Sequence, residues 1–233
     1  MNTEFIINRL EEILPKNFYV KTIEDIYLKG FLENEKIIKG IFLGSIDDLS
    51  TTNIVASINF KEIENILYPK EDKFSITTIN ININKHLFNH KVGEGILDQL
   101  PISLHSEVEL DKVCQLIQQY IQQEALPFFN YWRDIRNFLP FLETEDISYL
   151  SDIFSGDALF KKIIIWKLCS HPKFNEFTEK KTSQLEKRRA EVPNDSSFKK
   201  NYVKYIKILK TLEKTNPLYL WEESYLVQKP YIR

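Results

Sequence analysis

Residues 76–83 read ITTININI, and the interpretation of this stretch governs the first half of the chain. Ile79, Ile81 and Ile83 alternate with Asn80, Asn82 and Asn84, the period-two pattern of a β-strand with one apolar and one polar face. A strand over residues 73–84 follows from that reading. Phe74 and Ile76 are out of phase with the three later isoleucines, so one extra residue at Thr77–Thr78 is expected as a β-bulge. The asparagine face is then a solvated back of the sheet, a surface covered by later helices, or a polar binding platform.

Upstream, NFYVKTI, DIYLKGFL, KIIKGIFLG and NIVASINF are short runs rich in β-branched and aromatic residues, separated by polar and glycine clusters. KEIENILYP reads as a short helix ended by Pro69. Close spacing without long intervening helices predicts an antiparallel meander of four to six strands rather than a doubly wound parallel sheet. Before it, EFIINRLEEIL places Phe5, Ile6, Leu10, Ile13 and Leu14 on one helical stripe, closed by Pro15.

From about residue 107 the period becomes helical. Ser106 and Glu109 have the spacing of a capping box, and Asp195 or Ser196 is placed to cap a later amphipathic helix. The fold class is therefore α+β. An acidic α+β antiparallel-sheet subdomain over 1–106 is followed by an all-helical subdomain over 107–233 packed on it. The aromatic run ALPFFNYWRDIRNFLPF repeats Phe128 or Phe129, Trp132, Ile135 and Phe138 at helical spacing. It reads as a core stripe packed on the sheet ahead of a partner-binding hot spot.

Net charge is −2 but unevenly distributed. Residues 1–160 carry 14 Lys and Arg against 25 Asp and Glu, whereas residues 161–214 carry 15 against 6. Glycine occurs six times, and neither G-x-x-x-x-G-K-[ST] nor G-x-G-x-x-G is present, which argues against a glycine-loop nucleotide site. Cys114 and Cys169 are the only cysteines and read as reduced, buried thiols. The first residues lack the pattern of a signal peptide, and FKKIIIWKLC is interrupted by lysines and too short to span a bilayer. A cytoplasmic location and no membrane partner are expected.

Candidate chemistry is sparse. His86, His90 and Glu94 have the H-x3-H-x3-E spacing that could hold zinc on one helix face, with His105 and Glu107 as further donors. Gly93 and Gly95 weigh against such a helix, and solvent-facing loop histidines are the default. Cys169 and His171 are too close to apolar neighbours to suggest an activated nucleophile. Lys200, Lys204 and Lys207 line one face of a basic helix that could meet nucleic-acid phosphates, although a solvated face is the default.

An N-terminal helix carrying Phe5 to Arg9/Leu10, a hydrophobic meander, and a helix running from Ile121 into LPFF at Phe129 form a combined pattern. Over the first 130 residues this resembles uncharacterised bacterial proteins of a domain of unknown function. The resemblance implies an α+β accessory or immunity-type binding protein and supplies no catalytic residue. The leading expectation is a non-enzymatic binding protein with no cofactor, whose acidic half engages a basic protein partner through exposed acids such as Glu33, Glu35, Asp47 and Asp48. A metal-dependent hydrolase using His86, His90 and Glu94, and weak nucleic-acid binding by the basic helices, are the alternatives.

Overall fold

A computed structural model describes residues 3–23, 27–45, 54–100 and 106–232. Helix α1 (Thr3–Ile13) leads into strands β1 (Tyr19–Ile23), β2 (Tyr27–Glu33), β3 (Ile37–Ser45) and β4 (Val55–Phe60). Helix α2 (Lys61–Leu67) and a two-residue strand β5 (Ile79–Asn80) follow. The five strands pair antiparallel in sequence order, as a meander.

The stretch 76–83 enters this sheet and leaves it at once. Ile79 pairs with Ile58 and Asn80 with Ser57. The Asn80 side-chain oxygen then accepts the Asn82 amide N–H at 3.0 Å, an Asx turn that rotates the chain out of the ladder. Helix α3 (Asn82–Leu87) begins there. The long strand over 73–84 is thus corrected to two residues, and no bulge forms at Thr77–Thr78. The bulge lies instead in β3, where Leu43 is the extra residue between the Leu28–Gly44 and Lys29–Phe42 pairs. Gly44, at φ 134°, takes a backbone conformation that other residues resist.

Across the five strands, Tyr19, Phe31, Gly40, Ser57 and Asn80 form one row on the outer face. Leu28, Ile41, Ala56, Ile58, Phe60 and Ile79 belong to the opposite face and are buried. Phe31, Gly40 and Ser57 of the first row are buried as well, so the middle strands are covered on both faces. Helix α1 lies across the inner face, with Leu14 pressed so closely on Gly30 that an added Cβ would stand 2.8 Å from its side chain.

Helix α4 (Glu107–Tyr120) starts with the expected capping box: Ser106 accepts the Glu109 N–H, and Glu109 accepts the Ser106 N–H. A π-helical turn, Ile121–Ala125, joins it to α5 (Leu126–Tyr131). A 3₁₀ segment, Ile135–Phe141, completes the aromatic layer, in which Phe128, Phe129, Trp132, Ile135 and Phe138 are all buried. Phe138 meets Phe60 of the sheet edge-on at 5.7 Å. The aromatic run is therefore core.

The remaining helices are α6 (Ile147–Ile153), α7 (Ala158–Leu168), α8 (Phe174–Glu191) and α9 (Ser196–Glu213), the last capped by Asp195. Helix α7 is buried around nearly its whole circumference, as a central helix must be, and packs against α2, α6, α8 and α9. One continuous apolar cluster runs from Ile6 to Leu212 and takes in residues on both sides of residue 106. No described helix is long and apolar enough to cross a membrane.

Candidate functional site

The structure does not assemble the His86, His90 and Glu94 trio. His86 is exposed on α3. His90 turns inward, its Nε2 2.7 Å from the wholly buried Glu124 of the π-helical turn. Glu94 turns outward to the Lys91 ammonium at 2.8 Å. Positive φ at Gly93 and Gly95 breaks the helix on which the zinc spacing depended. Among the described residues no group of three His, Cys, Asp or Glu could hold a metal ion, which corrects the metal-site expectation. His105 lies outside the described residues.

Cys169 and His171 are also separated in function. Burial pushes the Cys169 thiol up to about 12 and the Cys114 thiol up to about 11. The His171 ring lies flat on Trp166, 4.1 Å between centroids, with Trp221 edge-on at 4.4 Å. Its Nδ1 accepts the Lys173 amide at 3.2 Å, so the ring proton sits on Nε2 and is donated to Glu143 at 2.8 Å. Burial holds this imidazole below its ordinary pKa. Neither cysteine is placed as a nucleophile. Iodoacetamide at pH 8 should label neither thiol in the native protein and both in urea; rapid native labelling of either one would contradict this burial.

Lys161 and Lys162, which on sequence merely interrupt an apolar run, are both fully buried. Lys161 Nζ donates to the carbonyls of Ser155 (2.7 Å), Thr77 (3.2 Å) and Thr78 (3.4 Å), and lies 3.2 Å from Glu64. Lys162 Nζ donates to the Thr144 carbonyl at 2.6 Å, between the Trp166 and Phe177 rings. Burial lowers its pKa to about 8. Nothing local announces either burial. The only hint is an apolar residue on every turn face around them.

The basic helix divides likewise. Lys200 and Lys207 are exposed on α9, whereas Lys204 turns to Asp157 at 2.6 Å and lies over the Tyr68 ring. Lys204 therefore anchors α9 to the body, and the three-lysine face is corrected to two of its members.

Among the acids, Glu33 is ion-paired with Lys61, and Glu35 is exposed in the β2–β3 turn. Asp47 and Asp48 lie outside the described residues. A more concentrated acidic surface occurs where α1 packs on the start of α4. Residues 3–13 and 106–112 together hold Glu4, Glu11, Glu12, Glu107, Glu109 and Asp111 against Arg9 and Lys112. Arg9 bridges Glu12 and Asp111 and so ties the two helices together. Phe5 (39% exposed) stands one helical turn from Arg9, and Val108 (78% exposed) one turn from Asp111. Sequence reasoning placed Phe5 on the buried stripe. Val108 and the joined acidic ridge depend on a contact between segments 102 residues apart.

Comparisons with protein-family models, with curated proteins and with solved structures found no match.

Proposed function

We propose that this chain is a non-enzymatic binding protein whose acidic α1–α4 ridge engages a basic macromolecular partner. The observation that carries this reading is that two packed helices, each with an exposed apolar side chain (Phe5 and Val108), carry six carboxylates against Arg9 and Lys112 over 3–13 and 106–112. An apolar anchor inside a charged rim is the usual anatomy of a protein interface. The rim speeds encounter with a basic surface and disfavours acidic competitors. Glu35, exposed in the β2–β3 turn, is a separate acid of the same half of the chain. A protein that covers and neutralises a basic toxin domain is one concrete version, in line with the immunity-type resemblance of the first 130 residues.

Affinity capture from a cell extract tests the reading. At low salt the protein should retain a basic protein that high salt releases, and Glu4→Lys with Glu107→Lys should abolish the retention. The reading fails if nothing basic is retained, or if the charge reversals leave capture unchanged. The exposed Lys200 and Lys207, with Val203 between them at 58% exposure, favour a second reading, weak binding of nucleic acid by α9. Loss of the captured material on nuclease treatment would transfer the assignment to that helix.

A further inference from the structure

After α9 the chain runs back over the body as a strap. The Leu218 and Tyr219 amides both donate to the Leu168 carbonyl, at 2.8 and 3.0 Å, and Ser170 Oγ donates to the Tyr219 carbonyl at 2.9 Å. A 3₁₀ turn, Glu223–Leu226, follows. Near the end, Tyr231 stacks on Phe88 at 4.9 Å and accepts the Asn84 side-chain N–H at 2.8 Å. Between these fastenings the strap leaves a cavity of about 260 Å³ against α5 and the 3₁₀ segment. Tyr131, Arg136 and Asn137 line one side, and Ser224, Tyr225 and Lys229 of the strap line the other. A smaller hollow of about 130 Å³ adjoins it across Tyr131, Asn137 and Lys229, and is bordered by Arg133.

We propose that this cavity is a binding site for a small oxyanion, a phosphate or carboxylate group. The two hollows are lined by three cations, Arg133, Arg136 and Lys229, and among the described residues by no carboxylate. Arg136 is rigidly presented. Asp134 takes its Nε at 3.0 Å and its Nη2 at 2.5 Å from behind, and the guanidinium stacks on Tyr219 at 4.3 Å. Among the described residues the remaining Nη1 has only a long contact, 3.4 Å, with the Tyr225 hydroxyl. Lys229 donates to the Asn137 oxygen at 2.8 Å, and the Asn137 amide nitrogen is itself held by the Tyr131 carbonyl. That contact is neutral and leaves two of the ammonium's three donors for a ligand, with Asp134 the nearby carboxylate whose charge it shares with Arg136. Glu222 engages the Ser224 hydroxyl at 3.2 Å, so the donors offered to the cavity are Arg136, Lys229 and the tyrosine hydroxyls.

The dimensions restrict the ligand. A cavity of about 260 Å³ lies below the range that holds drug-sized molecules, so inorganic phosphate, a small phosphate ester or a short carboxylic acid is the fitting class. Arginine on the body side and lysine on the strap side give a fork and a point charge, which suits an anion with several oxygens. The ligand would contact body and strap at once. The site is independent of the acidic ridge, so either reading can fail alone.

Calorimetric titration of the full chain with inorganic phosphate, and separately with malonate, tests the proposal at low ionic strength. Saturable one-to-one binding of at least one probe is expected, with a Kd below about 1 mM. The probe that binds more tightly identifies the ligand as phosphate or carboxylate. Lys229→Met, at an exposed position, should weaken binding at least about tenfold, as expected for loss of a charge-assisted contact. Tyr225→Phe should also weaken it, and Lys210→Met on α9 should leave it unchanged. Circular dichroism establishes that each variant is folded. Absence of saturable heat with both anions, or equal binding by Lys229→Met and wild type, overturns the proposal.

Discussion

Glu64→Ala should destabilise the protein by about 3–5 kcal/mol, read from urea denaturation at pH 7, because it strands a buried ammonium. Glu64 and Lys161 are both wholly inaccessible, and the pair joins α2 to α7 across the turn at Thr77–Thr78. Thr78 is the centre of the joint. Its hydroxyl donates to Glu64 Oε1 at 2.6 Å and accepts the Phe60 amide at 3.0 Å, while its carbonyl receives Lys161 and the Ser155 amide. Burial pushes the Lys161 ammonium below the ordinary lysine range, and the Glu64 carboxylate pulls it partly back. Removal of the carboxylate leaves the desolvation opposed by Asp157 and the carbonyls of Thr77, Thr78 and Ser155 alone. Lys161→Met should cost a similar amount, since Glu64 is then left buried with the Thr78 hydroxyl as its hydrogen-bond partner; its Oε2 has none among the described residues.

The double variant Glu64→Ala, Lys161→Met should lose clearly less than the sum of the two single losses. Replacing both charges with apolar groups removes the desolvation cost that either single change exposes. Strict additivity would show that the two side chains are uncoupled and that the pair is incidental to the joint. The outcome matters for the fold because this contact ties the end of the meander to the helical part. A hydrophobic contact could hold the same elements together, but the lysine also satisfies carbonyls of the turn and of Ser155.

What the sequence reveals here depends on how local the physics is. The capping box at Ser106 and Glu109 and the Asp195 cap are legible, since each is made between residues three apart. The meander is legible too, because alternation at Ile41, Ala56 and Ile58 reflects one buried sheet face. Asn80, Asn82 and Asn84 share one residue type and one spacing, yet meet three fates. Asn80 makes the turn and reaches Ser155, Asn82 is exposed, and Asn84 is completely buried. Period-two patterning cannot separate these fates, because the strand ends through a side-chain bond that the pattern does not encode. Asparagine's poor fit to strands and its aptitude for Asx turns were the available signal. Lys161, Lys162 and the acidic ridge were illegible for another reason: their polar partners stand on other elements, from six residues away at Ser155 to 102 at Asp111.

Trp132→Ala should cost about 3–5 kcal/mol, the range for a large aromatic removed from a closed core. Trp132 is completely buried, stacked on Phe138 at 4.7 Å and edge-on to Tyr131 at 4.7 Å. Its indole N–H donates to Asn84 Oδ1 at 3.1 Å, and Asn84 in turn donates to Tyr231 of the strap. The alanine variant therefore opens a cavity and also leaves a buried amide oxygen unsatisfied. Trp132→Phe separates the two effects. It keeps most of the ring volume but not the donor, so a loss of about 1–3 kcal/mol is expected from the orphaned acceptor and the smaller ring. Thermal and urea unfolding of both variants measure the difference. If phenylalanine costs as much as alanine, the hydrogen bond dominates and Asn84 is the keystone of this region. If phenylalanine is neutral, Asn84 finds another partner and its burial is incidental. The expected intermediate loss would establish that an asparagine from a strand-like repeat serves as the polar node joining α3, the aromatic layer and the strap.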